Sequence, residues 1–296
     1  MRILVTGVKG QLGHDVVPEL IGRNHEVIGT DLAPDGAGAS AYVPLDITDR
    51  DAVQKVIREI RPDAVIHCAA YTDVDAAEAE ENRAAAEAVN HWGTKYIAEA
   101  AKAADAKLLY LSTDYVFGGQ GTAPWKPDET RFAPLNVYGQ TKLAGEIAVK
   151  NALDRFFIVR TAWMFGANGR NFVKTMLRLG GTRDSVRVVN DQIGTPTYAK
   201  DLARLLSDMI ETDQYGCYHA TNAGGSISRC DFTKEIYRQA GVTAAVLPVL
   251  TAEYGLSKAR RPLNSRLDQS KLGEAGFAPL PPWQDALERY LKETGL

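Results

Sequence analysis

A tyrosine and a lysine stand four positions apart in YGQTK, residues 138–142, and Ser112, Thr113 and Asp114 close the apolar run KLLYLSTD twenty-five residues upstream. On a helix, that spacing puts Tyr138 and Lys142 on one face. A phenol held beside a carbonyl oxygen can donate a proton as the carbon is reduced, which is general-acid chemistry. A free phenol takes part reluctantly near neutrality, and an adjacent ammonium favours the phenolate and eases proton loss. A strand-end hydroxyl, from Thr113 or as second choice Ser112, would hold the carbonyl oxygen. Thr113, Tyr138 and Lys142 are therefore the candidate catalytic group. Spacing alone does not single them out, because YGLSK at 254–258 repeats it. That second pair follows no strand-end hydroxyl, and it reads as an ordinary surface turn.

The surrounding pattern supplies a frame for such a group. RILVTG, HEVIGTD, DAVIHCAA, KLLYLSTD and RFFIVRTA are short, nearly continuous apolar runs, as expected of parallel strands covered on both faces. Between them QLGHDVVPELIGR, RDAVQKVIREI, AEAEENRAAAEAVNHWGTKYIAEAAKAA and YGQTKLAGEIAVK have helical composition. The alanine-rich stretch 84–104 does not sustain heptads and is expected to form a single packed helix. Repeated strand–helix units predict an α/β fold built on a doubly wound parallel sheet.

VTGVKGQLG puts Gly7, Gly10 and Gly13 between the first strand and the first helix. Glycines there let the backbone turn tightly and approach a pyrophosphate, and the N–H groups at the helix start, including those of Gln11 and Leu12, attract the anion. Asp31 ends the second strand eighteen residues beyond Gly13, where a carboxylate accepts hydrogen bonds from an adenine-ribose diol. Together these features predict a Rossmann-type dinucleotide site. Asp31 repels a 2′-phosphate and favours NADH, whereas Lys9 in the turn partly offsets that repulsion and keeps NADPH open. Asp46 and Ile47 in PLDITD, and Ala69, Ala70 and Tyr71 in HCAAYT, follow strand-like runs and are expected along the cofactor. The two alanines equally suit close strand–helix packing. Lys142 can also hydrogen-bond the nicotinamide ribose.

Beyond residue 162 the pattern loosens, with MFGANGRNF, NDQIGTPTY, NAGGSISR and GFAPLPPW between shorter helical pieces. The expected division is 1–162 for the dinucleotide and 163–296 mostly for substrate, the latter a smaller lobe with some segments returning to the first domain. A formal charge of −3 with 24% charged residues gives no electrostatic reason to expect nucleic acid or an anionic membrane, so a small-molecule partner is expected. The N-terminal apolar run is too short for a signal or a membrane span, which predicts a cytoplasmic protein. Three cysteines without CxxC spacing and five histidines without an H-x-x-x-H pair predict no disulfide framework and no metal site.

On the glycine turn, the strand-end Ser/Thr and Tyr138-x-x-x-Lys142, the chain resembles the extended short-chain dehydrogenase/reductase superfamily. On CAAYTDVDAAE, STDYVFGG, VYGQTKLAGE, RTAWMFG, NFVKTML, NDQIGTPTY and RRPLNSRLD it is similar, over essentially its whole length, to the dTDP-4-dehydrorhamnose reductase family within it. The resemblance implies NADPH- or NADH-dependent reduction of the 4-keto group of dTDP-6-deoxy-L-lyxo-4-hexulose to dTDP-L-rhamnose. It implies a catalytic role for Thr113, Tyr138 and Lys142, and substrate contacts from Thr113, Asp114 and Trp163, with Asn171, Gln192 and Arg261 as further contacts. The Trp163 ring could cover a sugar face or simply fill the core. Arg261 could pair with the diphosphate or form a surface salt bridge. One departure is FGG at 117–119, where relatives commonly carry FDG. Some relatives form homodimers around magnesium, and a homodimer stays open here without an assigned metal site. Rival readings within this resemblance are another nucleotide-sugar reductase or epimerase, and a non-catalytic regulatory subunit like that of methionine adenosyltransferase. Tyr115 after Asp114 disfavours a dehydratase, whose strand end resembles Thr-Asp-Glu.

Overall fold

The computed structural model describes residues 1–34 and 38–296. The first half alternates β1 (Arg2–Thr6), α1 (Gly13–Gly22), β2 (Glu26–Thr30), β3 (Ala41–Tyr42), α2 (Arg50–Ile60) and β4 (Ala64–His67). It continues with α3 (Glu80–Glu87), α4 (Thr94–Ala103), β5 (Lys107–Thr113), α5 (Val137–Ala152) and β6 (Phe156–Thr161). Six strands and a seventh, Gly216–His219, form one sheet in the order Gly216–His219, β6, β5, β4, β1, β2, β3. Every neighbouring pair in it is parallel.

The apolar runs form central strands because both of their faces are covered. In β1, Ile3 and Val5 pack into the core shared with α1, whereas Leu4 points into the core shared with α2 and α4. β4 repeats this alternation with Ala64 and Ile66 on one side and Val65 on the other. Each valine, leucine or isoleucine among them taken fully out of water contributes about 1.5–3 kcal/mol. The chain order reverses between β1 and β4, so the strands' C-terminal ends open a crevice there, where ligands of such sheets sit.

Residues from the second half complete this sheet. The helices α6 (Phe172–Gly180), α7 (Ala199–Ile210) and α8 (Arg229–Ala240) follow β6. Of these, α7 contributes Leu202, Leu205 and Leu206 to the core beneath α1, and Gly216–His219 adds the edge strand beside β6. Leu272, Phe277 and Leu280 join that core too, while much of the rest of the second half encloses a separate aromatic core around Phe165, Tyr198, Phe232, Trp283 and Tyr290. The expected single helix over 84–104 is instead α3, a π-helical stretch Ala88–Gly93, and α4. The wider turn seats Asn90, which is 1% exposed. Its Nδ2 donates to Tyr71 O and Thr141 Oγ1, both at 3.1 Å, and its Oδ1 accepts from Tyr71 N at 2.9 Å. A side chain thus holds the loop after β4 against α5, a use typical of π-helical turns. Among the described residues no helix is long and apolar enough to cross a membrane.

Candidate active site

A cleft of about 1040 Å³ runs from the glycine turn to the second-half elements. At one end, Gly7 adopts φ +71°, and a Cβ on it would lie 2.7 Å from the Ala69 backbone. A Cβ on Gly13 would overlap the Gly7 carbonyl oxygen. Only glycines permit this tight approach of β1, β4 and α1. Gly10, Gln11 and Leu12 line the same end. Asp31 faces the cleft while its carboxylate accepts from Lys9 N at 2.9 Å and Leu32 N at 2.8 Å. It therefore braces the glycine turn as well as presenting an acceptor. Asp46, Ile47, Ala69, Ala70 and Tyr71 all reach the cleft wall. A narrow, donor-rich glycine cradle beside an acidic strand end fits a dinucleotide pyrophosphate and ribose.

Thr113, Tyr138 and Lys142 all line the same cleft. Thr113 ends β5, where its hydroxyl accepts from Tyr115 N at 3.2 Å and donates to Asp114 Oδ1 at 3.1 Å. Tyr138 sits in the first turn of α5, its ring edge-on to Tyr115 at 5.7 Å. Burial raises the Tyr138 phenol above its ordinary value, while its hydrogen bond to Thr113 acts in the opposite direction. Lys142 is 3% exposed, and its Nζ donates to Leu111 O at 2.7 Å while lying 4.1 Å from the Tyr110 ring centre. Burial pushes it down to about 7, partly offset by Glu146. The Lys142 ammonium, one helical turn from Tyr138, is turned towards the β5 carbonyl. Burial also lifts Cys68 to about 12 and lowers His67 to about 3, so both are neutral groups beneath the site.

The elements behind the trio are held by a fully buried network. Glu146, two helical turns after Tyr138, accepts from Ser112 Oγ at 2.5 Å and pairs with Arg160 of β6 at 2.8 and 2.7 Å. Arg160 and Glu146 have no measurable exposure, so the geometry must satisfy both charges internally. The start of α5 is fixed as well: Asn136 Oδ1 accepts from Gly139 N at 2.8 Å, and Glu78 accepts from Val137 N at 2.7 Å. A Cβ on Gly139 would overlap Tyr115 O, so this glycine lets the helix lie against the loop after β5.

On the far wall, Trp163 has φ +51°, in the left-handed region that a bulky residue rarely adopts. Its ring lies over Gly194, where a Cβ would come within 2.8 Å of it. Arg229, the first residue of α8, stacks 3.8 Å from the centre of the Trp163 ring and 4.6 Å from Phe172. Asp114 is 3% exposed, and burial lifts it to about 6. Gln192 lines the cleft and donates to Thr251 Oγ1 at 3.1 Å. Arg261 also lines it, but forms a bidentate pair with Asp75 at 3.0 and 2.6 Å. Asn171 is not part of the wall: it caps α6, accepting from Lys174 N at 3.0 Å and donating to Gly166 O at 2.8 Å. Asp75, Asn90, Gly194 and Arg229 were not evident from the motifs. Asp75 lies within CAAYTDVDAAE, where an acidic residue beside the cleft-lining alanines was the available signal.

A parallel sheet of this order, a glycine turn at its switch point, and a Thr/Tyr/Lys group beside it define a dinucleotide-binding protein of the short-chain dehydrogenase type. The model of the RmlD substrate binding domain matches residues 1–295, and the chain belongs to that family. Among its relatives, dTDP-4-dehydrorhamnose reductase of Streptomyces griseus is 44% identical over 292 residues, covering 97% of this chain and 91% of the relative. The crystal structure of dTDP-4-dehydrorhamnose reductase from Bacillus anthracis in complex with NADP is 42% identical with a TM-score of 0.91, covering 99% of each chain. A Clostridium acetobutylicum dTDP-4-dehydrorhamnose reductase structure is 40% identical with a TM-score of 0.92, covering 100% of each.

Proposed function

We propose that this protein reduces the 4-keto group of dTDP-6-deoxy-L-lyxo-4-hexulose, using NADPH or NADH, to give dTDP-L-rhamnose. The observation that carries the reading is the convergence of Thr113, Tyr138 and Lys142 on one cleft with the glycine cradle. The family and the dTDP-4-dehydrorhamnose reductase relatives support it. In this reading residues 1–162 chiefly hold the dinucleotide, with Gly7, Gly10, Gln11, Leu12 and Gly13 around the pyrophosphate and Asp31 at the adenine ribose. Asp46, Ile47, Ala69, Ala70 and Tyr71 line the rest of its length. Residues 163–296 chiefly form the sugar-nucleotide side.

NADPH or NADH, when bound in the glycine cradle, would supply the hydride for the C4 carbon. Tyr138 gives its phenolic proton to the C4 oxygen, so that the carbonyl becomes a secondary alcohol. Thr113 holds that oxygen in line with the phenol. Lys142, one turn along the same helix face, keeps its charge near the reacting oxygen and presents its remaining N–H donors to the nicotinamide ribose. Asp114, Trp163, Gln192 and Arg261 shape the sugar side, and Asn171 supports it only through the helix it caps. A cytoplasmic location belongs to the same reading, supported by three free cysteines. So does a homodimer as the alternative to a monomer, which sedimentation distinguishes.

The test is oxidation of NADPH and of NADH by purified protein supplied with the 4-keto-sugar nucleotide. Turnover with product identified as dTDP-L-rhamnose is expected. Tight cofactor binding without turnover would overturn the reading and favour a regulatory role.

A further inference from the structure

The sugar-nucleotide side of the cleft carries two partly buried arginines, and their electrostatic circumstances differ. Arg261 is already neutralised: both of its terminal nitrogens are spent on the two oxygens of Asp75. The same carboxylate accepts from Lys258 N and Ala259 N, both at 3.0 Å, so this pair ties the 258–261 segment to the loop after β4. Only the Arg229 backbone is bonded, its N–H to Gln192 O at 3.2 Å; the guanidinium has no ion pair and no hydrogen bond among the described residues. It is held by ring faces alone, Trp163 at 3.8 Å and Phe172 at 4.6 Å.

Stacking of this kind covers the flat faces of a guanidinium and leaves its in-plane N–H donors unspent. A desolvated cation without a counter-ion is costly. The cost is offset when an anion with two acceptor oxygens meets the planar fork, as a phosphate does. Burial draws Arg229 down only to about 10, so it remains a cation at neutral pH. Asp114 and Tyr115 lie near enough to favour that charge without pairing with it. Arg229 and Trp163 line the same cleft as Thr113 and Tyr138, so an anion held by Arg229 belongs to the molecule being reduced.

We propose that Arg229, backed by Trp163 and Phe172, is the residue that binds the diphosphate of the nucleotide sugar, and that Arg261 serves instead to latch the 258–261 segment through Asp75. This rests on the nucleotide-sugar reading of the cleft.

Calorimetric titration of dTDP, thymidine and NADPH into the intact protein, its Arg229→Gln variant and its Arg229→Lys variant tests it. Arg229→Gln is expected to weaken dTDP about tenfold to a hundredfold, the loss typical of one charged hydrogen-bonded contact. Thymidine and NADPH should change less than about twofold, and Arg229→Lys should recover part of the loss. Equal weakening of dTDP and thymidine would mean that Arg229 merely props the Trp163 wall, and an unchanged dTDP affinity would remove it from the site; either overturns the inference. If the parent protein binds UDP or GDP but not dTDP, and Arg229→Gln weakens that binding, the thymidine-nucleotide reading fails while the diphosphate role stands.

Discussion

Tyr138 and Tyr254 each open a Tyr-x-x-x-Lys sequence, and both tyrosines reach the wall of the same cleft. In the first case the helix continues for sixteen residues, so Lys142 returns to the face of Tyr138 and is buried against β5. In the second, the helix Thr251–Tyr254 stops at Gly255, whose φ is +64°, and Lys258 lies exposed in the segment that Asp75 holds. A four-residue spacing therefore places two groups together only where the backbone between them stays helical and a fixed strand end faces them. What distinguishes the pairs is anchoring. Ser112, Glu146 and Arg160 tie α5 to two strands through a buried network, whereas the other segment is held by Asp75 and by the Asn136 amide on Arg260 O.

The largest expected effect contrasts the two tyrosines directly. Tyr138→Phe should lower kcat about a thousandfold, the scale of a lost general acid, with NADPH affinity within about twofold by titration. A comparable loss of cofactor binding would make Tyr138 structural. Next comes the anchor of the first pair. Glu146→Gln leaves Arg160 buried without its counter-charge and should cost about 3 kcal/mol in denaturant unfolding.

The same variant carries a pH signature with a defined sign. Lys142 is an ammonium below about 7 and neutral above it, and the proposed chemistry uses the ammonium. For the parent protein, kcat/KM measured for the cofactor, which reports the free enzyme, should fall as pH rises through about 7. Glu146 holds the Lys142 value up, so its neutralisation should move that limb to lower pH. A limb that stays put would separate Glu146 from Lys142.

Smaller effects are expected at the second pair. Asp75→Asn loosens the 258–261 segment and should raise KM for the nucleotide sugar by about tenfold, the scale of a single charged contact, with kcat nearly unchanged. The smallest belongs to Tyr254→Phe, which should alter kcat by less than about threefold, below 1 kcal/mol of barrier. A loss there as large as that of Tyr138→Phe would erase the distinction between the pairs.

The sheet, the glycine cradle and the trio were legible because each is written in contiguous residues: an apolar run, a turn, a helix repeat. What escaped is made by segments far apart in sequence. Arg229 acquires its surroundings from Trp163 and Phe172, some sixty residues earlier, and Asp75 meets Arg261 only across the cleft. Asn90 looks like one polar residue in an alanine-rich helix until the π-helical turn directs it at Tyr71 and Thr141. Asn171 illustrates the opposite ambiguity, since the same amide suits a ligand and a helix cap, and only the backbone around Gly166 and Lys174 decides.

The edge strand Gly216–His219 reaches β6 only after the chain has passed through α6 and α7. A nascent chain cut short at residue 162 would leave β6 with an unpaired edge and α1 without its α7 partner, exposing a template for aggregation. The two halves of the chain are therefore coupled in assembly: the glycine turn reaches its finished support only once the ribosome has delivered the later segment, and unfolding should proceed as one event for both.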